Sequence, residues 1–156
     1  MKIINDKKYD IIWNKIDNDF KFKPSIDLKI IPFQFDINYV CYKLNNLWNE
    51  EQEKIVNRIF KKMSSNDIYA LDWQHVCFEY NPNENIKLYY SYYDKNRNCS
   101  VHFPSYYPDG DYHFFISKDW TYGILGHPWR KEIYIFGEKL IKAFEECELI
   151  LDITKK

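Results

Sequence analysis

Glycine is scarce in this 156-residue chain: there are four, at positions 110, 123, 126 and 137, and all fall within residues 106–144. That rules out the glycine-rich turns that cradle phosphates in P-loop and dinucleotide-binding folds, and no strand–helix alternation of the parallel nucleotide-binding type accompanies them. The four cysteines, Cys41, Cys77, Cys99 and Cys147, are scattered without a C-x-x-C pair. Neither a zinc knuckle nor a thioredoxin-type couple is offered, and in a reducing compartment they are expected as free thiols. No H-E-x-x-H, EF-hand spacing or G-x-S-x-G elbow occurs, so no cofactor and no metal follow from spacing. No apolar run approaches the ~20 residues that span a bilayer, and the start lacks a signal-peptide core. The expected location is the cytoplasm. A net charge of −1 removes any sequence-wide attraction to nucleic acid or anionic lipid, so neither is an expected partner.

Aromatic side chains are what the chain has in abundance: 14 Tyr, 11 Phe and 5 Trp, 19% of all residues. An aromatic core accounts for most of them, and any left on the surface favour recognition of another protein, because they give large contact area at small entropic cost. Length predicts one domain, 1–156. Asp6 is the expected cap of a first helix in which Tyr9, Ile12, Trp13, Ile16 and Phe20 recur at helical spacing, ending before Pro24. Alternation of Ile26, Leu28, Ile30, Phe33, Phe35 and Ile37 around Pro32 reads as an edge or bulged strand. Asn49 with Gln52 forms a capping box for a second helix that buries Ile55, Ile59, Phe60 and Met63, with an exit loop at residues 64–67.

Residues 71–80 read as one strand, 86–93 and 99–103 as a hairpin about the polar cluster 94–98, and Pro108-Asp109-Gly110 as a tight turn. Residues 112–117 and 131–136 are further strands, and 137–147 a closing helix. The fold class is therefore α+β: an antiparallel, twisted sheet of five or six strands with two or three helices packed on one face. Trp13, Trp73, Trp129 and Phe136 are the expected large buried side chains.

Four histidines, His75, His102, His113 and His127, are the candidates for acid–base or ligand roles near neutral pH. None lies in a ligand spacing, so the fold must assemble any site. In Gly126-His127-Pro128-Trp129 the proline forces His127 out of the helical region and stiffens the corner. It reads either as a strand connection whose tryptophan plugs the core or as a rigid loop presenting His127 and Arg130. Asp109, Asp111 and Asp119 could gather carboxylates about His127, and Cys77 could pair with His75. The catalytic candidates are thus His127, Asp111 and His75; for a protein-binding surface they are Trp120, Tyr122, His127 and Arg130.

Phe22-Lys23-Pro24-Ser25 with Trp13, Asp72-Trp73-Gln74-His75, the run Pro108-Asp109-Gly110-Asp111-Tyr112-His113-Phe114-Phe115, and Gly126-His127-Pro128-Trp129 followed by Phe136-Gly137 resemble the bacterial family known as domain of unknown function 2716. The resemblance spans most of the chain and departs from the family where Arg130 and Lys131 follow the tryptophan. It implies a small bacterial protein and brings no activity with it. Composition favours a non-enzymatic protein-binding module, of the toxin-neutralising or regulatory kind; the alternative is a small hydrolase with a His/Asp site assembled by the fold.

Overall fold

The computed structural model describes residues 1–64, 66–84 and 91–156. In chain order, β1 (Lys2–Ile3) leads into α1 (Asp6–Asp19), and β2 (Tyr39–Leu44) precedes α2 (Glu50–Met63). Seven strands follow: β3 (Ile68–Asp72), β4 (Phe78–Tyr80), β5 (Ser91–Asp94), β6 (Cys99–His102), β7 (His113–Ser117), β8 (Gly123–His127) and β9 (Glu132–Phe136). The chain closes with α3 (Glu138–Glu145), α4 (Glu148–Leu151) and β10 (Ile153–Lys155). Eight strands pair antiparallel in the order β1-β4-β3-β7-β8-β9-β2-β10, and β5 and β6 form a separate ribbon. The α+β class holds, and among the described residues the expected five or six strands become eight in the main sheet plus two. The extra ones are short edge strands and β2 and β8, whose runs lack a clean alternation.

Helices cover both faces of the sheet, not one. On β7 and β9 neighbouring side chains part to opposite sides. Phe115, Ile133 and Ile135 join α2, α3 and α4 in one core, whereas Phe114, Ile116, Tyr134 and Phe136 join Ile12, Trp13 and Ile16 of α1 in the other. Strands buried on both faces are apolar in their interiors, which is why HFFIS and EIYIF carry polar residues only at their ends. The first helix is capped by Asn5, whose side chain accepts from Lys8 N at 3.0 Å, one residue before the expected Asp6. The Asn49–Gln52 capping box forms as expected, and burying an amphipathic face is what holds such helices.

Residues 20–37 form no strand. Phe22 and Phe33 turn inward and stack at 5.5 Å, closed by Lys23 N donating to Pro32 O and Gln34 N to Phe20 O. Between them the chain loops outward, leaving Ile26 at 76% exposure and Leu28, Ile30 and Ile31 open. The period-two pattern there marks a strap, not a sheet face. The single strand expected over 71–80 is a hairpin, β3 turning into β4 through Gln74 at φ 67°. The hairpin loop expected at 94–98 connects β5 and β6; the N-terminal part of that first strand, with Tyr89 and Tyr90, and part of the 64–67 loop lie outside the described residues. Trp13 and Phe136 are buried as expected, but Trp73 is half-buried and Trp129 is 40% exposed. No described helix is long and apolar enough to cross a membrane.

Candidate functional site

The β3–β7 register places Asp72 directly opposite His113. Asp72 ends its strand and His113 begins the next, so both sit at the rim of the sheet. Beyond Asp72 the chain turns sharply, His75 N donating to Asp72 O and Trp73 N to Tyr112 O. That turn lays the His75 ring back onto its own strand end: Nδ1 lies 2.9 Å from Asp72 Oδ1 and 3.3 Å from Asp111 Oδ2. Asp111 arrives from the Pro108-Asp109-Gly110 turn, in which Gly110 has φ 80°, and its other oxygen accepts from Tyr112 N at 2.7 Å.

His113 completes the group from behind. Its ring is 5% exposed, and Nδ1 faces two carbonyls, Ser105 O at 2.9 Å and Tyr107 O at 3.0 Å. Carbonyls only accept, so Nδ1 carries the hydrogen and Nε2 is left 3.8 Å from Asp72 Oδ2. Two imidazoles and two carboxylates therefore converge. The hydrogen bond with Asp72 raises the His75 pKa, and burial raises that of Asp111. Asp72 and His75 open onto a cleft of about 770 Å³ between the start of α1, the β3–β4 turn and the β5–β6 ribbon. Arg97 walls it by bridging Asp94 of the ribbon to Asp6 of the helix. Asp10 and His102 also face it. A volume of this size suits a small organic ligand.

Of the catalytic candidates, His75 and Asp111 meet and His127 stands apart. The His127 ring is fully buried against Tyr112 and Trp129, with Nδ1 accepting from Arg130 N at 3.4 Å. Burial, aided by the Arg130 charge, lowers its pKa to about 4, which keeps it neutral. The Gly126–Trp129 corner is a turn between β8 and β9, as its structural reading expected, but its indole stands half out of the core. Asp109 and Asp119 are exposed, and Asp119 caps Thr121 in the β7–β8 turn at the opposite end of the strand. Cys77 makes no Cys–His pair, because its buried thiol faces backbone carbonyls and burial pushes its pKa up to about 12.

The binding candidates also divide. Trp120 and Tyr122 belong to the β7–β8 turn, where Trp120 packs on Phe20 and Tyr69 and Tyr122 on Phe60. Arg130 lies one strand length away, bonded to Glu132 at 2.7 Å and to the Leu28 carbonyl of the strap. Asp72 is the residue sequence reasoning missed as a site member. Its signal was local: an Asp three residues before a His across a turn.

The family described as Protein of unknown function (DUF2716) matches residues 3–141, and the chain belongs to it. It is 28% identical over 162 residues to the Uncharacterized protein YxiI of Bacillus subtilis (strain 168), covering 96% of this chain and 95% of that protein. No solved structure matches.

Proposed function

We propose that the protein is a small hydrolase whose reactive centre is His75 held between Asp72 and Asp111, with the adjoining cleft as the substrate site. One observation carries this reading: a single imidazole shared by two carboxylates at the edge of an open cleft of about 770 Å³. The carboxylates fix the ring through Nδ1, which leaves Nε2 for proton transfer to or from a bound water, the arrangement general acid–base hydrolysis uses. Asp6, Asp10 and Asp72 weight the cleft toward negative charge, with Arg97 engaged by Asp6 and Asp94. Polar neutral or cationic substrates fit it better than anionic ones.

The test is turnover of a panel of chromogenic esters, amides, glycosides and phosphoesters. Turnover of one class is expected, lost in both His75→Gln and Asp111→Asn and kept in Asp119→Asn at the opposite end of the strand. Turnover of none, or turnover indifferent to the first two variants, would overturn the reading.

A second reading, binding of another protein, is favoured by the strap. Ile26 lines a shallow pocket with Trp129, and Leu28, Ile30 and Ile31 stand exposed along the same strap, among exposed Lys23, Asp27 and Lys29. An exposed apolar patch rimmed by charge is the mark of a docking surface, and the lysines select an acidic partner. This is the form in which a toxin-neutralising or regulatory role would operate. An acidic host protein retained by the wild type and released by the Ile26→Ser/Leu28→Ser double variant would support it; equal retention would not.

A further inference from the structure

We propose that Asp72, His75, Asp111 and His113 bind one divalent transition ion, zinc in the first instance; the inference rests on reading this cluster as the reactive centre. Ligand atoms bonded to zinc at about 2.0–2.2 Å lie about 3–4 Å from one another. In this cluster Asp72, His75 and Asp111 each offer an atom within 4.8 Å of the others, with 2.9 and 3.3 Å from His75 Nδ1 to the two carboxylates. They need little movement to close on an ion.

Carboxylates gathered at a surface are common without metal. His113 is the independent observation. It is a buried imidazole whose hydrogen is committed at Nδ1 to Ser105 O and Tyr107 O, while Nε2 makes no hydrogen bond among the described residues and lies 3.8 Å from Asp72 Oδ2. A histidine that donates one ring N–H to a backbone carbonyl and turns its other nitrogen toward carboxylates has the orientation of a metal ligand. Asp111 is fixed similarly, by Tyr112 N on its second oxygen.

Two carboxylates balance the charge of one dication. Two imidazoles select against magnesium and calcium, which take oxygen ligands, and in favour of zinc or its neighbours. When bound, the ion supplies Lewis acidity and an activated water. His75, Asp72, Asp111 and His113 hold it at the end of the cleft, where a substrate reaches it.

The protein is stripped with EDTA and carries Cys99→Ser, because Cys99 is an exposed thiol that could take zinc on its own. It is titrated with ZnCl₂ by calorimetry and with CoCl₂ by visible absorption. One ion per chain is expected, with a d–d band from cobalt and no heat from MgCl₂ or CaCl₂. Asp111→Asn and His113→Gln should each weaken zinc binding about tenfold or more, while His102→Gln on the cleft wall leaves it unchanged. Should His113→Gln fail to fold, Asp111→Asn decides, since Asp111 lies at the rim. No binding, or binding indifferent to Asp111→Asn, overturns the proposal. Turnover that survives EDTA refutes the metal and leaves the hydrolase; zinc binding that obeys the variants, with no substrate turned over, supports the metal and refutes the hydrolase.

Discussion

Replacing Gly126 by alanine puts a methyl group where there is no space for one. Its Cβ would lie 2.8 Å from Pro108 Cβ and 3.0 Å from the His113 carbonyl oxygen. Neither neighbour is the loose end of a flexible chain. Pro108 is a ring in a tight turn, and the carbonyl belongs to β7. The strand must shift or the turn must lift, and overpacking of this kind costs about 1–3 kcal/mol. For a domain of this size that corresponds to a loss of roughly 3–10 °C in Tm. The φ of Gly126 is not positive, so the penalty comes wholly from the close approach.

Gly110 is the converse case, with φ 80° and nothing within 4 Å of its added Cβ. Alanine there costs about 1–2 kcal/mol through the dihedral alone. Asparagine, which tolerates that region, should cost less. The two positions are thus expected to rank substitutions in opposite order: Asn is milder than Ala at 110 and harsher at 126. Thermal melts of the four variants measure this. The same order at both sites, or a wild-type Tm for Gly126→Ala, would refute the argument from space.

Stability should fall on acidification in two stages. Burial holds His127 neutral, with its pKa at about 4 against an ordinary 6.5, so its contribution is complete above pH 6.5 and is lost as pH falls toward 4. Burial alone would raise Glu132, but hydrogen bonds from Arg130, Lys156 and Tyr134 hold it down at about 2, so its contribution is lost between pH 4.5 and 2. Each stage is worth on the order of 3 kcal/mol, and flat unfolding free energies from pH 7 to 4.5 would contradict the first. Glu53→Ala should cost roughly 2–5 kcal/mol by chemical denaturation, because it leaves Tyr106 N and Tyr107 N, now bonded at 2.8 and 2.9 Å, buried without acceptors. Trp13→Ala should cost roughly 3–5 kcal/mol and Trp129→Ala clearly less, since only the first indole is enclosed; equal melting points would be wrong for both.

The helices were legible because their signals are local: the Asn49–Gln52 box and the 3.6-residue stripe of α1 each lie within a few residues. The sheet was legible in part. Its central strands are apolar on both faces, so alternation, the usual guide to a strand, disappears where the strand is most secure. Alternation survives in residues 26–31, where it misled, because the strap is pinned by Phe22 and Phe33 and its isoleucines meet water. His75 and Asp111 could be named from residue type. Asp72 lies three residues before His75, within reach of a local reading, whereas His113 could be joined to them only through register, which one sequence does not display. His127 drew notice for its neighbours Gly126, Pro128 and Trp129, and the last of these, together with Tyr112, is what buries it.

Register is also what makes the site a consequence of the fold. Ile68, Ala70 and Asp72 alternate onto one side of β3, and His113 and Phe115 onto one side of β7. Asp72 and His113 therefore project to the same side as the core beneath α2, at the last rung before the strands part. A slip of one residue would turn Asp72 to the opposite face and disband the cluster. The support reaches further back. Glu53 of α2 binds the backbone N–H groups of Tyr106 and Tyr107, and the carbonyls of Ser105 and Tyr107 orient the His113 ring. The helix thus holds the loop, the loop holds the imidazole, and the imidazole faces the carboxylates, so Glu53 acts on the site without touching it. Loss of Glu53 should show in zinc affinity as well as in stability, and at Glu53→Gln, which keeps one acceptor oxygen for two donors, the site should weaken before the fold gives way.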